Sequence, residues 1–135
     1  MRIYIAGAYG RRIEFQDYAK TLNALGHEVT SRWLYGEEGM SVQDVAVMDT
    51  EDVLRADCLV SFTHPKEEGP PSGGRHVEFG IAWQARKRLI VIGHRENVFH
   101  HLREVEFYPE WLDAFRALAE EKWLGTSQTA RPRTG

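Results

Sequence analysis

The richest chemistry in this 135-residue chain lies in residues 70–80, PPSGGRHVEFG. Ser72, Gly73 and Gly74 lead into an expected helix whose first turn holds Arg75 and His76. Main-chain N–H groups at a helix start point outward and favour an anion. Glycines let a ligand approach the backbone closely. Glu78 lies one turn in, within reach of the same bound molecule. The same residues also suit an ordinary Ser-capped helix with an acidic side chain near its start, and spacing alone leaves both readings open.

Other segments carry weaker signals. GAYGRR, residues 7–12, is a glycine-bearing turn with Arg11 and Arg12, able to cradle a phosphate or simply to expose two solvated arginines. It is neither GxGxxG nor a Walker loop, so neither a dinucleotide nor a nucleoside triphosphate is indicated. Asp49 and Asp52 stand three apart on one helix face. Asp52 reads as part of a solvated acidic face, and Asp57 as a turn or cap residue before a strand. Spacing alone does not promote Asp49. His100 and His101 are adjacent, no HExxH occurs, and the histidines read as surface or capping groups, so no metal site is expected. Trp33 is placed near the expected pocket, where it could stack on a base.

The elements that must position these residues are legible. Residues 2–6 form a β-rich apolar run that halts at Gly7. A helix follows over 13–25 with Gly26 as its stop. Residues 27–34 read as a second strand and 41–55 as a helix capped by Ser41. Strands are expected at 57–62, 89–93 and 105–108. Helices are expected at 75–86, near 97–102, and from Pro109 to Lys122. The loop 63–74 is rich in proline and glycine. Strands alternating with helices predict an α/β fold: one Rossmann-like (flavodoxin-like) domain over 1–124, with a parallel sheet of about five strands flanked by helices. The tail 125–135 is polar, aperiodic and expected to be disordered. Ligands of such sheets bind outside the carboxyl ends of the strands. That groups residues 7–12, 63–78 and 93–100 around one pocket.

Taken together, the motifs resemble the nucleoside 2-deoxyribosyltransferase superfamily, which includes the 2'-deoxynucleoside 5'-monophosphate N-hydrolases. The resemblance spans roughly residues 1–108. IYIAGAYGRR is similar to the opening strand and glycine turn, and MDTEDVLRADCLV to the helix with the ribose-binding aspartate, which is Asp49 here. PSGGRHVEFG is similar to the nucleophile segment, and GHRENVFHH takes the place of a segment that reaches into a neighbouring subunit's pocket. The resemblance implies that Glu78 attacks C1' of a deoxyribose, forming a glycosyl ester that water or a second base resolves. It implies that Tyr9 orients Glu78, and that Asp49 holds a sugar hydroxyl or helps protonate the leaving base. Gly7, Arg11, Arg12, Trp33, Ser72, Gly74, Arg75 and Asn97 would surround the substrate.

Ser72 stands where transferases of this superfamily usually carry aspartate. A serine can donate to a 5'-phosphate that an aspartate would repel. This favours a monophosphate hydrolase. Against it, the Gly-Gly-Arg-His spacer departs from the hydrolase pattern, and Asn97 resembles the transferases' cross-subunit asparagine more than the hydrolases' serine. Base exchange between deoxynucleosides and a non-catalytic nucleotide-binding module are the alternatives. No cofactor is implied, and a homodimer with a shared site is, its interface expected near 98–111. The net charge of -3, without a dense basic run, argues against polymeric nucleic acid as a partner. No signal-peptide pattern or membrane-length apolar run occurs, so a cytoplasmic protein is expected. The single cysteine, Cys58, sits in an apolar run and reads as a small buried hydrophobe.

Overall fold

The computed structural model describes residues 1–63 and 73–123. Five strands, β1 (Arg2–Ala6), β2 (Glu28–Val29), β3 (Cys58–Phe62), β4 (Arg88–Ile92) and β5 (Val105–Tyr108), form one sheet. All neighbours are parallel and the order is β2-β1-β3-β4-β5. This is the flavodoxin-like order, in which the winding reverses between β1 and β3. β3 and β4 are buried along their whole length, and β1 beyond its first residue. That burial explains why they read as unbroken apolar runs rather than alternating ones.

Helices α1 (Arg12–Ala24), α2 (Val42–Arg55), α3 (Gly74–Gln84) and α4 (Trp111–Trp123) flank the sheet. Tyr18 of α1 stacks on Phe62 at 5.3 Å and on Trp111 of α4 at 4.4 Å, so α1 and α4 share one face. Helices α2 and α3 pack together over the other. Ser41 caps α2 as its sequence position implies, its Oγ accepting from the Asp44 N–H at 3.0 Å. Cys58 is buried as expected. The described part of the domain closes with α4, and the tail 125–135 lies outside the described residues.

The second strand is shorter than the sequence pattern implied. Pairing stops at Val29, and Arg32–Tyr35 form a 3-10 helix instead. Side chains take over the strand's role. The Ile5 N–H donates to Ser31 Oγ at 2.6 Å, and Trp33 Nε1 donates to the Ile5 carbonyl at 2.9 Å. With both β1 groups satisfied, the main chain is free to curl.

Two further expectations are corrected. Asp52 is not on a solvated face but is fully buried. Its carboxylate accepts from the Arg32 N–H at 3.0 Å, Arg32 Nε at 2.9 Å and Arg55 Nη2 at 3.1 Å, while its carbonyl accepts from Thr30 Oγ1. A single residue thus ties α2 to the turn after β2. His100 is also buried, with Nδ1 accepting from the Glu96 N–H at 3.0 Å. Burial and then the nearby His76 push it down to about 4, so it is neutral at pH 7.

Replacing Asp52 with alanine leaves Arg32 only Glu51, and Arg55 only Glu28 and the Thr30 carbonyl, and frees the turn. Chemical denaturation of Asp52→Ala should register a loss of about 2–3 kcal/mol, below the full cost of breaking a buried pair because both arginines are half in water. An unchanged midpoint would remove Asp52 from this role.

Candidate active site

The site grows from the crevice between the carboxyl ends of β1 and β3. Tyr4 is fully buried in β1, on the face covered by α2 and α3. A buried tyrosine needs a partner for its hydroxyl. It finds one across the sheet surface: Tyr4 Oη donates to Glu78 Oε2 on α3 at 2.6 Å. A bond this short to a carboxylate is charge-assisted. It fixes one oxygen of the Glu78 carboxylate.

Burial pushes Glu78 up to about 7, with Asp49 and Glu37 adding to the rise and the Tyr4 hydrogen bond opposing it. Asp49 of α2 is pushed up to about 6, first by burial, then by Glu37 and Asp52, against the pull of Arg32. Among the described residues, Asp49 Oδ1 is buried without a hydrogen-bond partner. Tyr4 is driven far above its ordinary range by burial and by the carboxylates Glu78 and Asp49, so it remains a donor. The result is a half-buried acidic pair, one member oriented and the other holding an unmet acceptor. This arrangement suits attack on an electrophilic carbon beside a polar hydroxyl or a basic leaving group.

Tyr9 does not orient Glu78. It lies past the end of β1, 44% exposed, with Arg12 over its ring at 4.4 Å and Trp33 at 6.2 Å. Tyr4 takes that role because alternation along β1 turns its side chain toward α3. Trp33 is not free to stack on a base: it is 5% exposed, its N–H serves Ile5, and its ring meets Phe15 edge-on at 6.2 Å. Gly7 answers a packing demand, since a Cβ there would stand 2.5 Å from the Phe15 ring. Among the described residues, nothing lies within 4 Å of a Cβ position at Gly74, which leaves room there at the start of α3.

The arginines divide. Arg11 grips Glu14 with Nε at 3.0 Å and Nη2 at 2.9 Å, and donates to the Thr63 carbonyl at 3.3 Å, pinning the glycine turn to the end of β3. Arg75 is not presented to a ligand. It is buried, with Nε 3.1 Å and Nη2 2.5 Å from the Glu96 carboxylate. Burial pushes Glu96 up, but the Arg75 hydrogen bonds and charge outweigh it and hold Glu96 below its ordinary value. Arg12 touches the Tyr9 face and has no carboxylate within salt-bridge distance among the described residues. Ser72 lies outside the described residues.

Asn97 sits on the flank of α3 away from Glu78. Its Oδ1 accepts from the Phe99 N–H at 3.0 Å, and its Nδ2 is 3.5 Å from His76 Nδ1. With His76, Phe79, Gly80, Trp83 and Phe99 it lines a largely apolar cleft of about 350 Å³. Among the described residues, no group of three or more His, Cys, Asp or Glu side chains is arranged to hold a metal ion. Sequence reasoning missed Tyr4, Glu37 and Glu96. Tyr4 left a trace, a phenol inside an otherwise aliphatic buried strand. Glu37 and Glu96 left none, because each matters through a partner distant in sequence.

No family model matches the chain, and no curated protein matches it in sequence. Solved structures do match in fold. A CMP N-glycosidase of Clostridium botulinum, BcmB, superposes with a TM-score of 0.63 at 21% identity, covering 87% of this chain and 98% of that one. A 2-desoxiribosyltransferase from Leishmania mexicana gives 0.63 at 12% identity, covering 88% and 97%. The solution structure of BlsM gives 0.65 at 18% identity, covering 99% and 96%. At these identities the likeness establishes a common α/β fold.

The acidic pair has a measurable cost. Glu78 holds its proton more tightly folded than unfolded, so its contribution to stability is full below about pH 4.5 and is lost as pH rises through about 7. Glutamine cannot ionise. Glu78→Gln should therefore exceed the wild type in stability at pH 8 by on the order of 1–3 kcal/mol. The gap should close by pH 4 in thermal melts. A variant less stable than wild type at pH 8 would contradict the burial of this carboxylate.

Proposed function

We propose that this chain is an N-glycosidase of the nucleoside 2-deoxyribosyltransferase superfamily that acts on a 2'-deoxynucleoside 5'-monophosphate. The observation that carries the reading is the Tyr4–Glu78 hydrogen bond, which aims a half-buried carboxylate at the mouth of a parallel sheet. The resemblance of the motifs around Tyr4, Asp49 and Glu78 supports it. So does the fold shared with a CMP N-glycosidase.

The proposed reaction is a double displacement. A Glu78 oxygen bonds to C1' as the C1'–N bond breaks and the base departs with the electron pair. Asp49, kept partly protonated at neutral pH by burial, supplies a proton to the departing base or holds a sugar hydroxyl. Water then attacks C1', giving its proton to the Asp49 carboxylate or to solvent, and Glu78 leaves as a carboxylate. Positive charge grows at C1' in both steps, and a deoxyribose lacks the electron-withdrawing 2'-hydroxyl that would oppose it. The 5'-phosphate falls to the open start of α3, to Ser72 and to Arg12, since Arg75 is already neutralised by Glu96. Base exchange is the second reading, favoured by the fold shared with a 2-desoxiribosyltransferase and by Asn97. In both readings a second copy completes the site: Asn97 lies too far round α3 to serve its own Glu78 and belongs with the apolar cleft of a dimer interface.

Incubation with a panel of deoxynucleoside monophosphates should release free base and deoxyribose 5-phosphate, resolved by chromatography. Glu78→Gln should lower release by at least about 10³-fold, as loss of a nucleophile does. Arg12→Ala should raise KM for monophosphates roughly tenfold and leave unphosphorylated deoxynucleosides unaffected. Product formation only with an added acceptor base would favour exchange, and no base release from any substrate would overturn the enzyme reading. Sedimentation at micromolar concentration should give a dimer. A purely monomeric chain that still turns over would exclude the shared site.

A further inference from the structure

A second polar group lies beneath the same helix and takes no part in the chemistry above. Ser61 is fully buried in β3, and its Oγ has no hydrogen-bond partner among the described residues. An orphaned buried hydroxyl costs on the order of 1–3 kcal/mol, so alanine would serve a purely structural position better. The register says where Ser61 points. It pairs with Ala6 of β1 and Val91 of β4, while Tyr4 pairs with Leu59. Paired residues of parallel strands share a face, and residues two apart return to it. Ser61 therefore stands on the face that carries Tyr4, one step nearer the carboxyl edge, where α3 packs across β1, β3 and β4. Its in-register neighbour Ala6 is small, so this end of the floor beneath α3 is shallow.

A buried water needs about three polar partners. This face supplies them: Ser61 Oγ, the Glu78 carboxylate, and Tyr4 Oη, which donates to Glu78 and keeps acceptor capacity. We propose that Ser61 is a positioning residue that anchors an internal water beneath α3, through which it supports the Glu78 carboxylate alongside Tyr4. The water donates to the ionised carboxylate and so favours that form. The groups that otherwise face Glu78 are Tyr4 from β1, Asp49 from α2 and Glu37 from the turn before it, while Arg75 on its own helix is taken by Glu96. Among the described residues no cation is among the groups that shift Glu78, so each donor to it matters.

For catalysis this inference rests on reading Glu78 as the attacking group, but it is testable without turnover. Carbon-13 carboxyl NMR should resolve the titration of Glu78 in wild type, with Glu78→Gln supplying the assignment. Ser61→Ala should raise that midpoint by roughly half a unit or more while Tm stays level or rises. Where base release is seen, the acid limb of kcat/KM should move up by the same amount. Ser61→Cys, of nearly equal size, gives the same readout if the alanine variant folds poorly. An unmoved Glu78 midpoint overturns the inference, whether or not Tm falls. A midpoint that moves in a protein releasing no base leaves Ser61 in its role and removes the proposed reaction instead. Base release with an unmoved midpoint does the reverse.

Discussion

A carboxylate held by a phenol from the centre of the sheet organises this molecule. The Tyr4–Glu78 contact joins β1, which is buried on both faces, to helix α3. Its donor cannot wander, because Tyr4 is locked among neighbouring strands. Its acceptor sits low on α3, where desolvation weakens the ionised form and Tyr4 restores part of it. The two effects oppose each other, and their balance leaves a carboxyl group that titrates near neutrality. A carboxylate with this environment is more basic than a solvated glutamate and is still partly ionised at neutral pH.

The surrounding charges follow a consistent plan. Arg11 is answered by Glu14, Arg75 by Glu96, and Arg32 and Arg55 by Asp52. Arg75 with Glu96 and Arg32 with Asp52 tie elements distant in sequence, while Arg11 with Glu14 and Arg55 with Asp52 are local pairs three residues apart. Beyond burial, Asp49 and Glu37 raise Glu78, and Glu37 and Asp52 raise Asp49 against the pull of Arg32. Mutual repulsion among buried acids destabilises the fold, and the aromatic column of Tyr18, Phe62 and Trp111 on the opposite face supplies compensating burial. Stability and chemistry thus occupy different faces of one sheet.

Much of this was readable in the chain. The parallel sheet, its flanking helices and the Ser41 cap follow from local pattern, since buried parallel strands and capped amphipathic helices leave short-range signatures. Glu78 and Asp49 stood out through their motifs. The failures share one cause. Residues 27–34 have the composition of a strand, yet Ser31 and Trp33 side chains satisfy Ile5 in place of main chain. Asp52 looks like any acidic helix residue until Arg32 and Arg55 close over it.

By itself the sequence determined the fold class and the order of elements, because these depend on periodicity within single elements, while Glu78 and Asp49 came forward only through the resemblance of their motifs. Only the tertiary structure decided that Tyr4 rather than Tyr9 holds Glu78, that Arg75 is spent on Glu96, and that Ser61 Oγ lies buried with no partner among the described residues. Those facts depend on distances between residues far apart in the chain, such as Tyr4 and Glu78. A linear pattern carries no record of which side chains will meet once strands have taken their places in a sheet.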